Sequence, residues 1–159
     1  MSDPGKVHGL TIRPAVRGDL PEILAVLDDA GLLTAGVAEQ MGGFLVADDG
    51  ASIVGVAGLE VYDGVGLLRS VAVAASLRGY GLGARLVRAA LAAARQRGIR
   101  NVALLTETAG PFFSRLGFRE SARERMDPRL LSSSEFTSPS CATALVMSMT
   151  LQDGEEAGS

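Results

Sequence analysis

The sequence has one cysteine and one histidine in 159 residues. Cys141 has no partner for an internal disulfide, which suits a reducing cytoplasm. A lone Cys141 and a lone His8 give no metal site, and His8, ahead of the first strand, reads as a surface residue. No apolar run is long enough to span a bilayer, and no charged-then-apolar leader opens the chain, so a soluble protein without a membrane partner is expected. Positive charge is not in excess either. Fifteen Lys and Arg against 18 Asp and Glu leave a net charge of −3, which offers no electrostatic reason to bind nucleic acid.

What is present is apolar material: 47% of the residues are hydrophobic. That amount and this length predict one domain, 1–159, with its own core and a disordered tail over 152–159. The basic residues cluster at Arg78, Arg85, Arg88, Arg95, Arg97 and Arg100, a pattern that fits a solvated helix face as well as a binding surface.

Leu10–Arg13 reads as a first strand. Asp19 followed by Glu22 has the form of a capping box, and Leu20, Ile23, Leu24 and Leu27 then share one helical face up to Gly31. A second short helix is expected over Thr34–Met41. Phe44–Ala47, Ser52–Tyr62 and Val65–Ala74 read as strands joined at Asp49-Gly50 and Asp63-Gly64, an antiparallel meander. A helix follows from Leu82 to about Arg97, with Leu82, Leu86, Ala90 and Ala93 on one face and Arg85, Arg88, Ala92 and Arg95 on the other. Val102–Leu105, reached by a crossover, is expected to run parallel to the strand before the helix. A short helix over Pro111–Leu116, a polar stretch from Met126 to Pro139 and an alternating strand over Thr143–Leu151 complete an α+β fold. Its sheet is mixed, mostly antiparallel and flanked by helices.

The segment Arg78-Gly79-Tyr80-Gly81-Leu82-Gly83 lies between a strand and a helix. Helical first-turn amides lack intrahelical partners and carry the positive end of the helix dipole. Glycines let such a backbone approach a bulky anion, and Arg78 adds a full charge. The spacing matches neither the dinucleotide fingerprint nor the P-loop, and by itself it also fits a plain tight turn.

The run Leu68-Arg69-Ser70-Val71-Ala72-Val73 followed by Arg78–Gly83 resembles the signature of the GCN5-related N-acetyltransferase (GNAT) superfamily. Pro111–Phe118, ending in Leu-Gly-Phe, is similar to its second recurring segment. Gly42–Ala47, Gly58–Tyr62, Gly66–Ser70 and Glu135-Phe136 further resemble the arsenic-resistance N-acetyltransferase subgroup, although Thr137–Ala142 departs from that subgroup's order around cysteine. The resemblance implies acetyl transfer from acetyl-coenzyme A to an amine. It places the pyrophosphate on Arg78, Gly79, Tyr80, Gly81, Leu82 and Gly83, and the pantetheine arm along Val71, Ala72 and Val73. An amide near Val71 would polarise the thioester carbonyl. It also allows a homodimer.

An acceptor amine arrives as ammonium and must lose a proton. Pairing across Asp63-Gly64 puts Glu60 and Arg69 diagonally on one sheet face. Glu60 can then serve as the base and Arg69 can grip an acidic substrate group by its planar fork; equally, the two can neutralise each other as a structural ion pair. Where the superfamily often has a tyrosine as acid, this chain has Phe113. A thiol with a pKa near about 8.5 leaves readily without one. Tyr62 and Tyr80 are the only tyrosines. Tyr62 reads as strand packing, and Tyr80 as too near the pyrophosphate. Cys141 reads as a buried, inert thiol that alone would bind trivalent arsenic weakly. The expected substrate is a small-molecule amine, an acidic amino acid analogue linked to arsenic resistance being one form. Acetylation of protein or peptide amines, or coenzyme A binding without catalysis, stand as alternatives.

Overall fold

The computed structural model describes residues 9–151; His8 and the 152–159 tail lie outside them. Seven strands form a mixed sheet in the order β1-β2-β3-β4-β5-β7-β6: β1 Thr11–Pro14, β2 Phe44–Asp48, β3 Ile53–Tyr62, β4 Val65–Val73, β5 Asn101–Thr106, β6 Arg119–Glu120 and β7 Leu145–Thr150. The helices are α1 Leu20–Asp29, α2 Leu82–Gln96, α3 Gly110–Arg115 and α4 Ser134–Thr137. The pairs β1/β2, β2/β3, β5/β7 and β6/β7 are antiparallel, and β4/β5 is parallel, as the crossover through α2 requires. The chain forms two compact units. One contains the residues up to Gly58 with Ser70–Ala90, and the other Leu59–Arg69 with the residues from Leu91 onward.

In the first unit α1 turns Ile23 and Leu27 onto Val37, Phe44, Val46, Ile53, Val56 and Ala72, all buried. The 3.6-residue period decides which face goes in. The expected capping box is not used. A short 3-10 turn, Arg17–Asp19, precedes the helix, and Asp19 is already helical in φ and ψ with no side-chain cap bond. Its carboxylate instead accepts from the Val16 amide at 2.8 Å and from Arg13 Nη1 at 2.8 Å, and Arg13 also reaches Asp48 at 3.1 Å. Glu22 accepts from the Ile53 amide at 3.0 Å. Arg13 first, and then the Val16 N–H, hold the Asp19 carboxyl below the usual carboxylate range. A depressed folded pKa contributes stability above the unfolded value and loses it as pH falls through the folded one. Asp19→Asn is therefore expected to lower the melting temperature at neutral pH and to flatten its decline with acid.

β3 is buried from Ile53 to Glu60. Ala47 pairs with Gly55 and Asp48 with Ile53, so β3 carries one extra residue, Val54, a bulge beside Gly55. The strand's glycines also have a packing role. They mark close approach. A Cβ on Gly58 would collide with the Phe44 ring, and one on Gly55 would lie 2.9 Å from Leu86 Cδ1. Gly58→Ala is expected to cost about 1–3 kcal/mol by overpacking, read from urea midpoints. The expected Thr34–Met41 helix is only a turn and a 3-10 stretch, Ala38–Gly43.

In the second unit Val65, Leu67, Ala103, Met126, Leu130 and Val146 form the core, with Tyr62, Leu105 and Phe136 packed against it. Asp63 and Gly64 both have positive φ, 51° and 92°, the two-residue turn that continues strand twist. The polar stretch after Met126 forms no long helix. It is a chain of 3-10 turns and the one-turn α4, fastened by buried Met126, Leu130 and Ser133.

Candidate functional site: a glycine loop, an open strand edge and a buried charge cluster

After β4, Ala75–Leu77 makes a 3-10 turn and Arg78–Gly81 leads into α2 at Leu82. Leu77 and Leu82 are buried at either end, and Arg78, Gly79 and Gly81 between them are exposed. Gly79 and Gly81 have φ of +90° and +84°, and a Cβ on either would meet nothing within 4 Å. The loop thus presents bare backbone to open space. The Arg85 amide donates to the Gly81 carbonyl at 3.1 Å, so the amides of Leu82, Gly83 and Ala84 precede the helical ladder. Donors without steric cover beside a guanidinium fit a diphosphate. The exposed Arg85, Arg88 and Arg95 form the solvated face of α2.

β4 presents a second feature. Its ladder with β5 runs from Val65↔Asn101 to Leu67↔Ala103 and ends there. Ser70 has a φ of 60°, a left-handed conformation that bends the strand. Beyond it, the Ala74 amide donates to the Val54 carbonyl at 2.8 Å on β3. Alternate residues of a strand face opposite edges, so the backbone groups of Val73 and Val71 face away from β3. Consistent with that direction, the Val73 carbonyl accepts from Arg78 Nε at 3.0 Å. Ala72 points the other way and is buried in the core.

The second unit holds the charge cluster. Arg69 Nη1 donates to Glu60 Oε2 at 2.8 Å, and Tyr62 Oη donates to Glu60 Oε1 at 2.5 Å. Arg69 Nη2 lies 3.5 Å from Glu135 Oε2. The side chains of Arg69 and Glu60 are 0% and 1% exposed, and that of Glu135 is 12% exposed. Burial, then the bond to Glu60, push the Tyr62 hydroxyl up to about 12. The Glu135 carboxyl is raised by burial above all; Arg69 opposes and the Glu60 charge adds to the rise. The neighbouring strands β3 and β4 thus bring Glu60 and Arg69 into an ion pair. Glu135 and Tyr62 join them, and spacing alone pointed to neither. The two-residue period of β3 puts Tyr62 on the face of Glu60, a signal available in the sequence; no period links Glu135 to a strand.

Phe113 is buried, with its ring edge-on to Phe112 at 4.9 Å and to Phe118 at 5.8 Å. Cys141 is half-buried rather than fully buried. Arg123 fastens its segment, donating to the carbonyls of Cys141 at 3.2 Å and Ala144 at 3.1 Å, with its guanidinium 5.6 Å from the Phe136 ring centre. Among the described residues no group of three or more His, Cys, Asp or Glu side chains is placed to hold a metal ion. No helix among them is long and apolar enough to cross a membrane.

A family model described as an acetyltransferase (GNAT) domain matches residues 40–120, more than half of the chain. The chain belongs to this acetyltransferase family. Sequence comparison with curated proteins gave no match. Among solved structures, the chain is similar to Rv2747 from Mycobacterium tuberculosis in complex with coenzyme A and NLQ. That similarity has a TM-score of 0.77 and 26% identity, covering 89% of this chain and 99% of that one. It is also similar to N-acetylglutamate synthase from Neisseria gonorrhoeae complexed with coenzyme A and L-arginine, with a TM-score of 0.76 and 21% identity, covering 90% of this chain. Here the chain spans only 33% of the synthase's length. Ard1 from Thermoplasma volcanium has the same fold, with a TM-score of 0.70 and 22% identity, covering 91% of this chain and 99% of that one.

Proposed function

We propose that the protein transfers the acetyl group of acetyl-coenzyme A to the amine of a small, amino-acid-like molecule, the whole chain acting as one catalytic domain in the cytoplasm. The observation that carries this reading is the uncovered loop at Gly79 and Gly81, with its open amides ahead of α2. The pyrophosphate would lie on the amides from Gly79 to Gly83 with Arg78 at the rim, and Tyr80 and Leu82 would contribute backbone. The pantetheine arm would extend along the edge of β4 that Val71 and Val73 face, and Val71's amide would hold the carbonyl oxygen. Bound there, acetyl-coenzyme A supplies an activated acyl group. The chain's own part is to orient the acceptor and remove its proton.

Arg69 supports an amino-acid-like acceptor, because it lies on β4 two residues before Val71. Its fork holds this chain's own carboxylates, so the cluster would draw the ammonium of an amino-acid-like acceptor towards β4. Support for coenzyme A binding beside a second small molecule comes from Rv2747, 26% identical over nearly its whole length and crystallised with coenzyme A and NLQ. The buried Phe113 supplies no acid; the thiolate leaves unaided or takes a proton from water. The resemblance to arsenic-resistance N-acetyltransferases adds an arsenic-bearing amino acid to the acceptors worth testing.

Calorimetry with coenzyme A, followed by thiol release over a panel of amines, tests the proposal. Binding with turnover on one amine class supports it. Absence of coenzyme A heat ends it, and binding with no turnover on any amine favours the non-catalytic module. Glu60→Gln is expected to lower kcat with little change in coenzyme A affinity, because it weakens the hold on Arg69. An unchanged kcat would remove Glu60 from the site.

A further inference from the structure

We infer that Glu135, rather than Glu60, is the carboxylate that takes the proton from the acceptor's ammonium, with Arg69, Glu60 and Tyr62 as positioning residues. This rests on the acetyl-transfer reading above. Both oxygens of Glu60 already accept hydrogen bonds, one from Tyr62 and one from Arg69, and its side chain is 1% exposed. A base so placed would have to break a buried ion pair to act. Glu135 is held on one side only. Its Oε2 lies 3.5 Å from Arg69 Nη2, its side chain is 12% exposed, and Oε1 has no donor among the described residues.

The charge balance points the same way. Two carboxylates face one guanidinium, and the surplus negative charge attracts an ammonium. The groups facing Glu135 are Arg69 from β4, Glu60 from β3, with Tyr62 behind it on the same strand, and its own Ser133, whose Oγ accepts the Glu135 amide at 3.1 Å. Burial raises the Glu135 carboxyl first, and the Glu60 charge adds to it. A raised carboxyl is a better proton acceptor at neutral pH than an ordinary one. Arg69 precedes Val71 by two residues on β4, so one strand carries both the guanidinium that holds Glu135 and the proposed carbonyl-binding amide.

One ammonium proton passes to Glu135 Oε1. The freed nitrogen pair forms the N–C bond, the C–S bond breaks, and its electron pair leaves on sulfur. Of the two remaining protons on nitrogen, one stays on the amide product and one reaches the thiolate through water. Glu135 then releases its proton to solvent.

The test compares pH–rate profiles of the wild type, Glu135→Gln, Glu135→Asp and Glu60→Gln, with coenzyme A binding measured for each. In the wild type kcat/KM should fall as pH drops through the Glu135 pKa, because the protonated acid cannot accept a proton. Glu135→Gln should lose about 10²–10⁴ in kcat and lose this acid limb, while coenzyme A affinity is retained. Glu135→Asp should recover part of the rate and keep the limb. Glu60→Gln should be slower with the limb intact. Wild-type transfer with an unchanged rate or limb in Glu135→Gln overturns the assignment of Glu135 alone. A wild type that acetylates no amine overturns the transfer reading beneath it.

Discussion

Arg69→Ala is expected to lower the unfolding free energy by about 3–5 kcal/mol. The magnitude follows from what the substitution leaves behind. Glu60 is 1% exposed and would remain in the sheet without its cation, and Glu135 would lose the opposite charge beside it. The attraction within a buried pair roughly offsets the desolvation of both ions, so removing one partner exposes the full cost of the other. A double variant, Glu60→Leu with Arg69→Met, should recover much of the loss, since an apolar pair leaves no charge to desolvate. Urea denaturation with a constant slope measures both. A loss below about 1 kcal/mol for Arg69→Ala would mean that solvent screens the pair, and the cluster would then not be the fixed platform that the proposed chemistry needs.

Gly81→Val is expected to weaken coenzyme A binding roughly tenfold or more. Gly81 sits at φ +84°, where a side chain costs about 1–2 kcal/mol and a β-branched one more. The loop would relax out of the conformation that aims its amides outward. Stability should fall by no more than that strain, because a Cβ at this position meets nothing within 4 Å. Arg78→Ala should weaken binding less and reduce its salt dependence, since it removes one charge and leaves the amides in place. Calorimetry at two salt concentrations separates the two effects. Equal affinity for Gly81→Val and the wild type would move the diphosphate away from this loop.

The elements with a strong period are legible in the sequence itself. Leu82, Leu86 and Ala90 are buried and Arg85, Arg88 and Arg95 exposed, as a 3.6-residue repeat demands. The Asp63-Gly64 turn and the pairing of Glu60 with Arg69 followed from two-residue alternation. Local chemistry read in isolation was less reliable. Asp19 and Glu22 have the form of a capping box, yet each found a stronger partner elsewhere, Arg13 and the Ile53 amide. Cys141 was expected to be buried and is half-exposed. The two-residue β6 carries too little pattern to be seen at all.

The order and type of the main elements, the glycine loop ahead of α2 and the family are properties of the sequence, because each depends on residues near one another in the chain. Which groups bond the two oxygens of Glu60, and that Glu135 reaches Arg69, were decided by tertiary structure alone. Glu135 lies 66 residues beyond Arg69 in the numbering, on a one-turn helix with no period to orient it. Only the burial of Met126, Leu130 and Ser133 brings that segment onto the sheet, and with it the carboxylate onto the arginine.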